Sequence, residues 1–335
     1  MKKARPTRRR VLQAAVGMAG AVWQGSKVLG QPGSALRIEE PFHGAVLNHR
    51  HGEQTEGGLK IRVCGQAPAS DSVTVNGTAA ERAGTSFHTD VVLREKETDI
   101  AAVAQGSQGR QEHRVRVVWD RHSRPRYRFS IDDNSFFLRD IAQKKYGSLF
   151  DCFYLKGLRD LHSKYGTRFV LNIYYTTDDG FELPQFSDRY QGEWRDNADW
   201  LRLAFHAHAN LPDRPYQNAA PAKLVADFDQ VAEQIIRFAG EQTYTPPTVI
   251  HWGMVLPTAL KPLYERGVRV LSGFFTRSNG AWDVNYLLDD TRSEYLSRHD
   301  ALMDFDSGIV FSKVDIVCNN VTVDKIVPTL APGGK

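Results

Sequence analysis

Three short clusters of carboxylate and imidazole side chains stand out in this sequence, and each follows an apolar run. They are Asp132-Asp133, His206-Ala207-His208 and His251. An acidic pair alone is more often a turn or a helix cap than a ligand, and a single histidine after a strand is more often structural. Together, one carboxylate and two imidazoles with a position left open for water are typical of a catalytic zinc or another divalent transition metal.

The two aspartates of the first cluster are expected to do different work. Adjacent side chains on a strand point to opposite faces, so Asp132 and Asp133 can diverge where the strand ends. One of them can then bind the ion while the other acts as a base. The spacings between clusters are long, 73 residues from Asp133 to His206 and 45 from His206 to His251, so only the fold can bring them together.

The elements that must carry these clusters change in character near residue 121. Over residues 36–119, alternating runs such as Leu59 to Cys64 and the turn signal Asn76-Gly77 predict an all-β sandwich. From residue 127 on, apolar runs such as Val249 to Trp252, which we expect to be strands, alternate with amphipathic helices such as Phe153 to Tyr165. Strands alternating with helices predict an α/β domain with parallel strands, closed into a β/α barrel. In such barrels the catalytic groups lie where the strands end.

The first 30 residues differ from the rest in charge. They hold seven of the 43 Lys and Arg residues and no Asp or Glu, so the remaining chain carries excess acid and gives no support to nucleic-acid binding. A basic start, a short apolar run and a small-residue exit predict an export signal. Because Arg8-Arg9 with Val11-Leu12 resembles the twin-arginine type, we expect export by that translocase. The mature protein is then periplasmic or secreted, without stable membrane insertion.

Two further classes of site lack support in the sequence. The three cysteines (Cys64, Cys152 and Cys318) are too scattered for a disulfide framework or a Cys-x-x-Cys zinc site. Neither a Gly-x-Gly-x-x-Gly motif nor a P-loop is present, so we expect no nucleotide cofactor.

Residues 127–335 resemble a divergent NodB-homology polysaccharide deacetylase. The resemblance rests on Ile131-Asp132-Asp133, His206, His251-Trp252-Gly253 and Gly267-Val268-Arg269-Val270. It implies a distorted β/α barrel that removes N- or O-acetyl groups from glycans with a divalent metal, which we expect to be zinc. It also implies that Asp132 is the base. Asp133, His206 and His251 are then the predicted ligands, and His208 is the reserve ligand.

The sequence departs from the family pattern at three places. One is His251-Trp252-Gly253, which takes the place of an Arg-Pro-Tyr-Gly-like segment. Asn210 stands where the family has a second histidine, four residues after His206. The segment Ile316 to Asn320 has no histidine, although the family's closing strand carries one as the general acid. The chain then ends in a tail rich in proline and glycine, so we expect the barrel to lack an element at its C-terminus.

The resemblances also suggest how a glycan is bound. Trp252, Tyr174 and Tyr175 are predicted to stack on sugar rings. The pattern of Val73 to Gly77 followed by Val91 to Leu93 resembles the immunoglobulin-like modules attached to secreted carbohydrate enzymes. We expect this module to be a spacer or docking unit, with direct sugar binding as the alternative.

These expectations lead to one function and two alternatives. The expected function is an exported, metal-dependent, deacetylase-like hydrolase that acts on an acetylated glycan. The first alternative is a metal-free glycoside hydrolase, with Asp133 and either Glu193 or Glu241 as its two carboxylates. That alternative leaves the histidine clusters unexplained. The second is a catalytically inactive carbohydrate-binding or scaffold protein.

Overall fold

The structure is a computed structural model that describes residues 35–107, 109–125 and 127–331. The predicted export signal over residues 1–30 therefore lies outside the described residues. The chain divides into two compact units. Among the described residues, the first comprises 35–107, 109–119, Arg277–Ala281 and 314–331, and the second comprises 120–125, 127–276 and Trp282–Lys313. Within the described ranges, no helix is both long enough and apolar enough to span a bilayer.

The N-terminal part of the first unit is built from strands alone. These are β1 (Arg37–Glu40), β2 (Val46–Leu47), β3 (Glu53–Thr55), β4 (Gly58–Gln66), β5 (Ser72–Val75), β6 (Thr78–Ala79), β7 (Glu81–Ala83), β8 (Ser86–Leu93), β9 (Glu97–Gly106) and β10 (Gly109–Trp119). They form two sheets, with the orders β1-β4-β8-β7, where β3 also pairs with β4, and β2-β10-β9-β5-β6. The predicted all-β unit is confirmed. Its turn signal is confirmed too, because Asn76 and Gly77 both take positive φ angles between β5 and β6.

The second part of the chain alternates strands with helices. Its elements are β11 (Phe129–Ile131), α1 (Phe136–Lys144), α2 (Phe153–Tyr165), β12 (Phe169–Tyr174), α3 (Gln191–Asp196), β13 (Leu201–Ala207), α4 (Pro221–Ala239), α5 (Leu260–Glu265), β14 (Val270–Gly273), β15 (Thr276–Ser278), β16 (Ala281–Asp283), α6 (Asp290–Arg298), β17 (Ala301–Asp304), β18 (Ile309–Lys313) and α7 (Val323–Leu330). Helix α4 buries Leu224, Phe228 and Val231 at helical spacing and packs on β13.

The predicted β/α barrel is wrong. Strands β11, β12 and β13 form one parallel sheet, and β14, β18 and β17 form a separate mixed sheet, so no hydrogen-bonded ring closes among the described residues. Closure needs a continuous ladder of strands. Between β13 and β14 the chain makes only one parallel bridge, from Leu203 to Tyr244. Pro246 and Pro247 follow at once, and prolines have no N–H to donate to a ladder.

The predicted strand at Val249 to Trp252 is also wrong, because this segment ends in a helical turn. Residues His251–Gly253 form a single 3-10 turn in which Trp252 takes a left-handed conformation, with a φ of 66°. The backbone in this turn is not extended, so the segment does not form a strand. The parallel sheet nevertheless keeps the feature that matters for function, because the C-terminal ends of β11, β12 and β13 meet at one edge.

Candidate metal centre

Three predicted ligands meet at this edge of the parallel sheet. His206 lies at the end of β13, Asp133 follows β11 by two residues, and His251 begins the 3-10 turn. Asp133 Oδ1 lies 3.1 Å from His206 Nε2 and 3.4 Å from His251 Nδ1, and the two nitrogens are 3.1 Å apart. These three residues can hold a metal ion.

The spacing of the three donor atoms fits one small divalent ion. With bonds of about 2.0–2.1 Å, tetrahedral ligands lie about 3.3 Å apart and octahedral ligands about 2.9 Å apart. The observed separations of 3.1 to 3.4 Å fall between or close to these two values. His206 and His251 are 2% and 0% exposed, whereas the side chain of Asp133 is 34% exposed. The group is therefore closed on the histidine side and open on the aspartate side, as a catalytic ion requires.

The hydrogen bonds of the histidines also favour a cation. His251 Nε2 lies 3.1 Å from the backbone carbonyl of Asn210, so this nitrogen donates and Nδ1 turns its lone pair toward the centre. That lone pair faces His206 Nε2 and the carboxylate of Asp133. The other nitrogen of His206, Nδ1, is buried and has no hydrogen-bond partner in the described ranges. A cation bound among the three ligand atoms would offset the repulsion between their lone pairs.

The two aspartates diverge, as the sequence predicted. Asp133 takes a left-handed backbone conformation with a φ of 59°, which turns its side chain toward the histidines. Asp132 instead accepts a hydrogen bond from Asn172 Nδ2 at 2.6 Å, and Ser130 Oγ lies 3.4 Å from the same carboxylate oxygen. Asn172 itself is fully buried. The pair therefore offers one carboxylate to the ion and holds the other outside the ligand group.

Tyr174 contributes a contact that the sequence did not predict. This last residue of β12 is 4% exposed, so its ring is not available for stacking on a sugar. Its hydroxyl donates to Asp133 Oδ1 and lies 3.2 Å from His251 Nδ1 and 3.1 Å from Asn210 Oδ1. The sequence signal for this contact was the position of Tyr174 at the end of a predicted strand.

The other predicted site residues lie outside the ligand group. The ring of His208 stacks on that of Tyr175, with centroids 5.0 Å apart, and its backbone N–H donates to Tyr216. The guanidinium of Arg214 lies 5.0 Å from the ring centre of Trp252. Asn210 lies beside the ligand group and accepts a hydrogen bond from His251 Nε2 through its backbone carbonyl.

A cavity of about 220 Å³ opens beside Asp133. It is lined by charged, polar and aromatic side chains, namely Asp133, Ser135, Phe136, Arg139, Tyr174, Thr177, Asp178, Asp179 and Asn210. Phe136 is 37% exposed and is the aromatic ring that the cavity presents to solvent. The cavity therefore combines an apolar face with hydrogen-bonding groups next to the candidate metal centre.

No known family profile and no curated protein matches the chain. Partly similar solved structures include an engineered protein, with 18% identity over 25% of this chain and 20% of that one and a TM-score of 0.19. The fibronectin(III)-like modules of Clostridium thermocellum CbhA have 14% identity over 30% of this chain and 56% of that one, with a TM-score of 0.19. A putative alpha-galactosidase of Bacteroides fragilis has 11% identity over 76% of this chain and 62% of that one, with a TM-score of 0.24. The chain thus spans less than two thirds of each of these proteins. Scores this low identify no shared fold.

Proposed function

We propose that this protein is a metal-dependent hydrolase that removes acetyl groups from a glycan, with zinc bound by Asp133, His206 and His251. The observation that carries the proposal is the convergence of these three donor atoms within 3.4 Å, beside an open cavity. The resemblance to NodB-homology deacetylases supports the substrate class. Two imidazoles and one carboxylate with an open position are the ligands that catalytic zinc sites use.

The ligand roles follow from the contacts of Asp133, His206 and His251, whereas the role of Asp132 as base follows from the resemblance, since Asp132 does not itself line the cavity beside Asp133. The bound ion supplies Lewis acidity, which polarises a carbonyl group and makes water more acidic. Asp132 takes the proton of the attacking water, and Asn172 occupies its Oδ1, so the proton goes to Oδ2. As the water oxygen bonds to the acetyl carbon, the carbonyl electron pair moves onto its oxygen. When this electron pair re-forms the carbonyl double bond, the bond from the acetyl carbon to the sugar nitrogen or oxygen breaks. The leaving group takes the proton from Asp132.

The proposal includes where the enzyme acts. The Arg8-Arg9 leader supports export by the twin-arginine translocase, to the periplasm or out of the cell. The acetylated glycans of that compartment are then its substrates. The all-β unit over residues 36–119 is proposed as an immunoglobulin-like docking module.

The glycosidase alternative receives no support from the placement of its carboxylates. Glu193 accepts hydrogen bonds from Ser148 Oγ at 2.6 Å and from the Leu149 N–H at 3.1 Å, so it stabilises the start of a short helical turn. Glu241 is exposed, and neither glutamate lines the cavity beside Asp133. The histidine pair would also have no role in that chemistry.

Acetate release before and after metal removal tests the proposal. We expect the purified protein to release acetate from N-acetylated or O-acetylated oligosaccharides, to lose this activity on chelation and to regain it with zinc. Asp132→Asn should lower kcat by about 10²–10⁴ while it keeps the metal, because only the proton acceptor is lost. Cleavage of the sugar chain without metal would instead identify a glycosidase, and binding without any turnover would identify a scaffold.

A further inference from the structure

Acyl transfer needs a hydrogen-bond donor aimed at the oxygen on which negative charge develops. The cavity offers few side-chain donors for this task. Ser135 Oγ donates to the backbone carbonyl of Tyr174 at 3.0 Å, and Thr177 Oγ1 donates to Asp179 at 2.6 Å. Arg139 is paired with Asp179. The amide of Asn210 also lines the cavity, and its Oδ1 lies 3.1 Å from the hydroxyl of Tyr174. Of these side-chain donors, the hydroxyl of Tyr174 is the one with contacts to both Asp133 and His251.

From this geometry we infer that Tyr174 is a catalytic residue whose hydroxyl donates a hydrogen bond to the oxyanion. The inference rests on the proposed function, because it assigns a role in acetyl removal. The phenolic oxygen lies 3.2 Å from His251 Nδ1 and hydrogen-bonds to Asp133. A carbonyl oxygen that enters the same group of atoms therefore comes within reach of this O–H.

The surroundings of Tyr174 hold the donor in place before the reaction begins. Its ring is 4% exposed, and Ser135 Oγ contacts both its backbone N–H, at 2.8 Å, and its backbone carbonyl, at 3.0 Å. Only the hydroxyl hydrogen needs to move, by rotation about the C–O bond, from Asp133 to the substrate oxygen. A donor that needs no larger rearrangement stabilises developing charge more effectively than solvent does.

The bond changes in this step balance without an additional reactant. The water oxygen bonds to the acetyl carbon, and the carbonyl electron pair moves onto the carbonyl oxygen, which accepts the hydrogen bond from Tyr174. The phenol keeps its proton throughout, and the proton of the water goes to Asp132. This assigns Tyr174 to oxyanion stabilisation and distinguishes it from a fourth metal ligand, which would have to lose its proton.

Tyr174→Phe separates these roles, since it keeps the ring and removes only the hydroxyl. We expect the variant to bind one zinc per chain and to keep the KM of the wild type, while kcat falls by about 10²–10³. A methylphosphonate analogue of the substrate, which mimics the tetrahedral oxyanion, should lose affinity by a similar factor in calorimetry. This second readout does not depend on turnover.

Tyr190→Phe is the matched control. Tyr190 is 3% exposed, and its hydroxyl donates to the backbone carbonyl of Tyr146 at 2.6 Å, outside the cavity. We expect this variant to keep the wild-type kcat. Loss of zinc in Tyr174→Phe would make the tyrosine a ligand and overturn the inference, and so would an unchanged kcat. A wild type that binds zinc but releases no acetate would overturn the proposed function, and the inference with it.

Discussion

Asn172 donates a hydrogen bond to Asp132, the proposed base. Its Nδ2 contacts Asp132 Oδ1 at 2.6 Å and Ser130 Oγ at 2.7 Å, and its backbone carbonyl accepts from the Asn134 N–H at 3.2 Å. Its own Oδ1 is buried without a hydrogen-bond partner in the part of the chain described. The side chain of Asn172 therefore interacts through its N–H donors, one of which contacts Asp132.

Asn172→Ala should lower kcat about 10- to 100-fold and leave the zinc content unchanged, because it frees the carboxylate of Asp132 without touching a ligand. Steady-state kinetics and metal analysis measure the two effects. Asn134→Ala is the matched control, since Asn134 is equally buried but donates to the hydroxyl of Tyr154 at 2.7 Å. Equal losses in both variants would mean that the effect is structural.

Among the secondary-structure elements, those with local signals were predictable from the sequence. Helix α2 was predicted with the bounds that it has, because Gly166 ends it in a left-handed conformation with a φ of 67°. The segment around His251 was predicted as a strand and is a turn. Its conformation depends on the left-handed Trp252 and on the two prolines before it, whose effect on strand pairing is not local.

Strands β1 and β10 are joined by a contact that depends on pH. The backbone N–H of Ile38 donates to His113 Nδ1 at 3.2 Å, which requires a neutral imidazole. Burial lowers the pKa of His113, and the charges of Arg37 and His43 lower it further. The stability from this contact is therefore complete above pH of about 6.5, the pKa of an unfolded histidine, and is lost as the pH falls through the lower folded pKa.

His113→Gln should make the stability of the protein less dependent on pH, because glutamine keeps an acceptor that does not titrate. Urea unfolding midpoints at several pH values between 8 and 5 measure the effect. We expect the difference between wild type and variant to change on the acidic side of pH of about 6.5. A constant difference across this range would contradict the role given to His113.

For the whole molecule, chemistry was more predictable than architecture. Carboxylate and imidazole clusters after apolar runs indicated the candidate metal centre, because parallel strands bring their C-terminal ends to one edge. The number of strands that pair, and hence the absence of a closed barrel, depends on long-range hydrogen bonds that no local pattern encodes. The hydroxyl of Tyr174 was missed for the same reason, since its partners lie 41 and 77 residues away.

The central claim is that Asp133, His206 and His251 bind one ion, and zinc titration of two histidine variants tests it most directly. His206→Ala removes a donor atom of the group, whereas His208→Ala removes the ring two residues away that stacks on Tyr175. We predict one zinc per chain in the wild type and in His208→Ala, and a loss of at least about 100-fold in affinity in His206→Ala. Stoichiometric, wild-type binding in a folded His206→Ala protein would contradict the account.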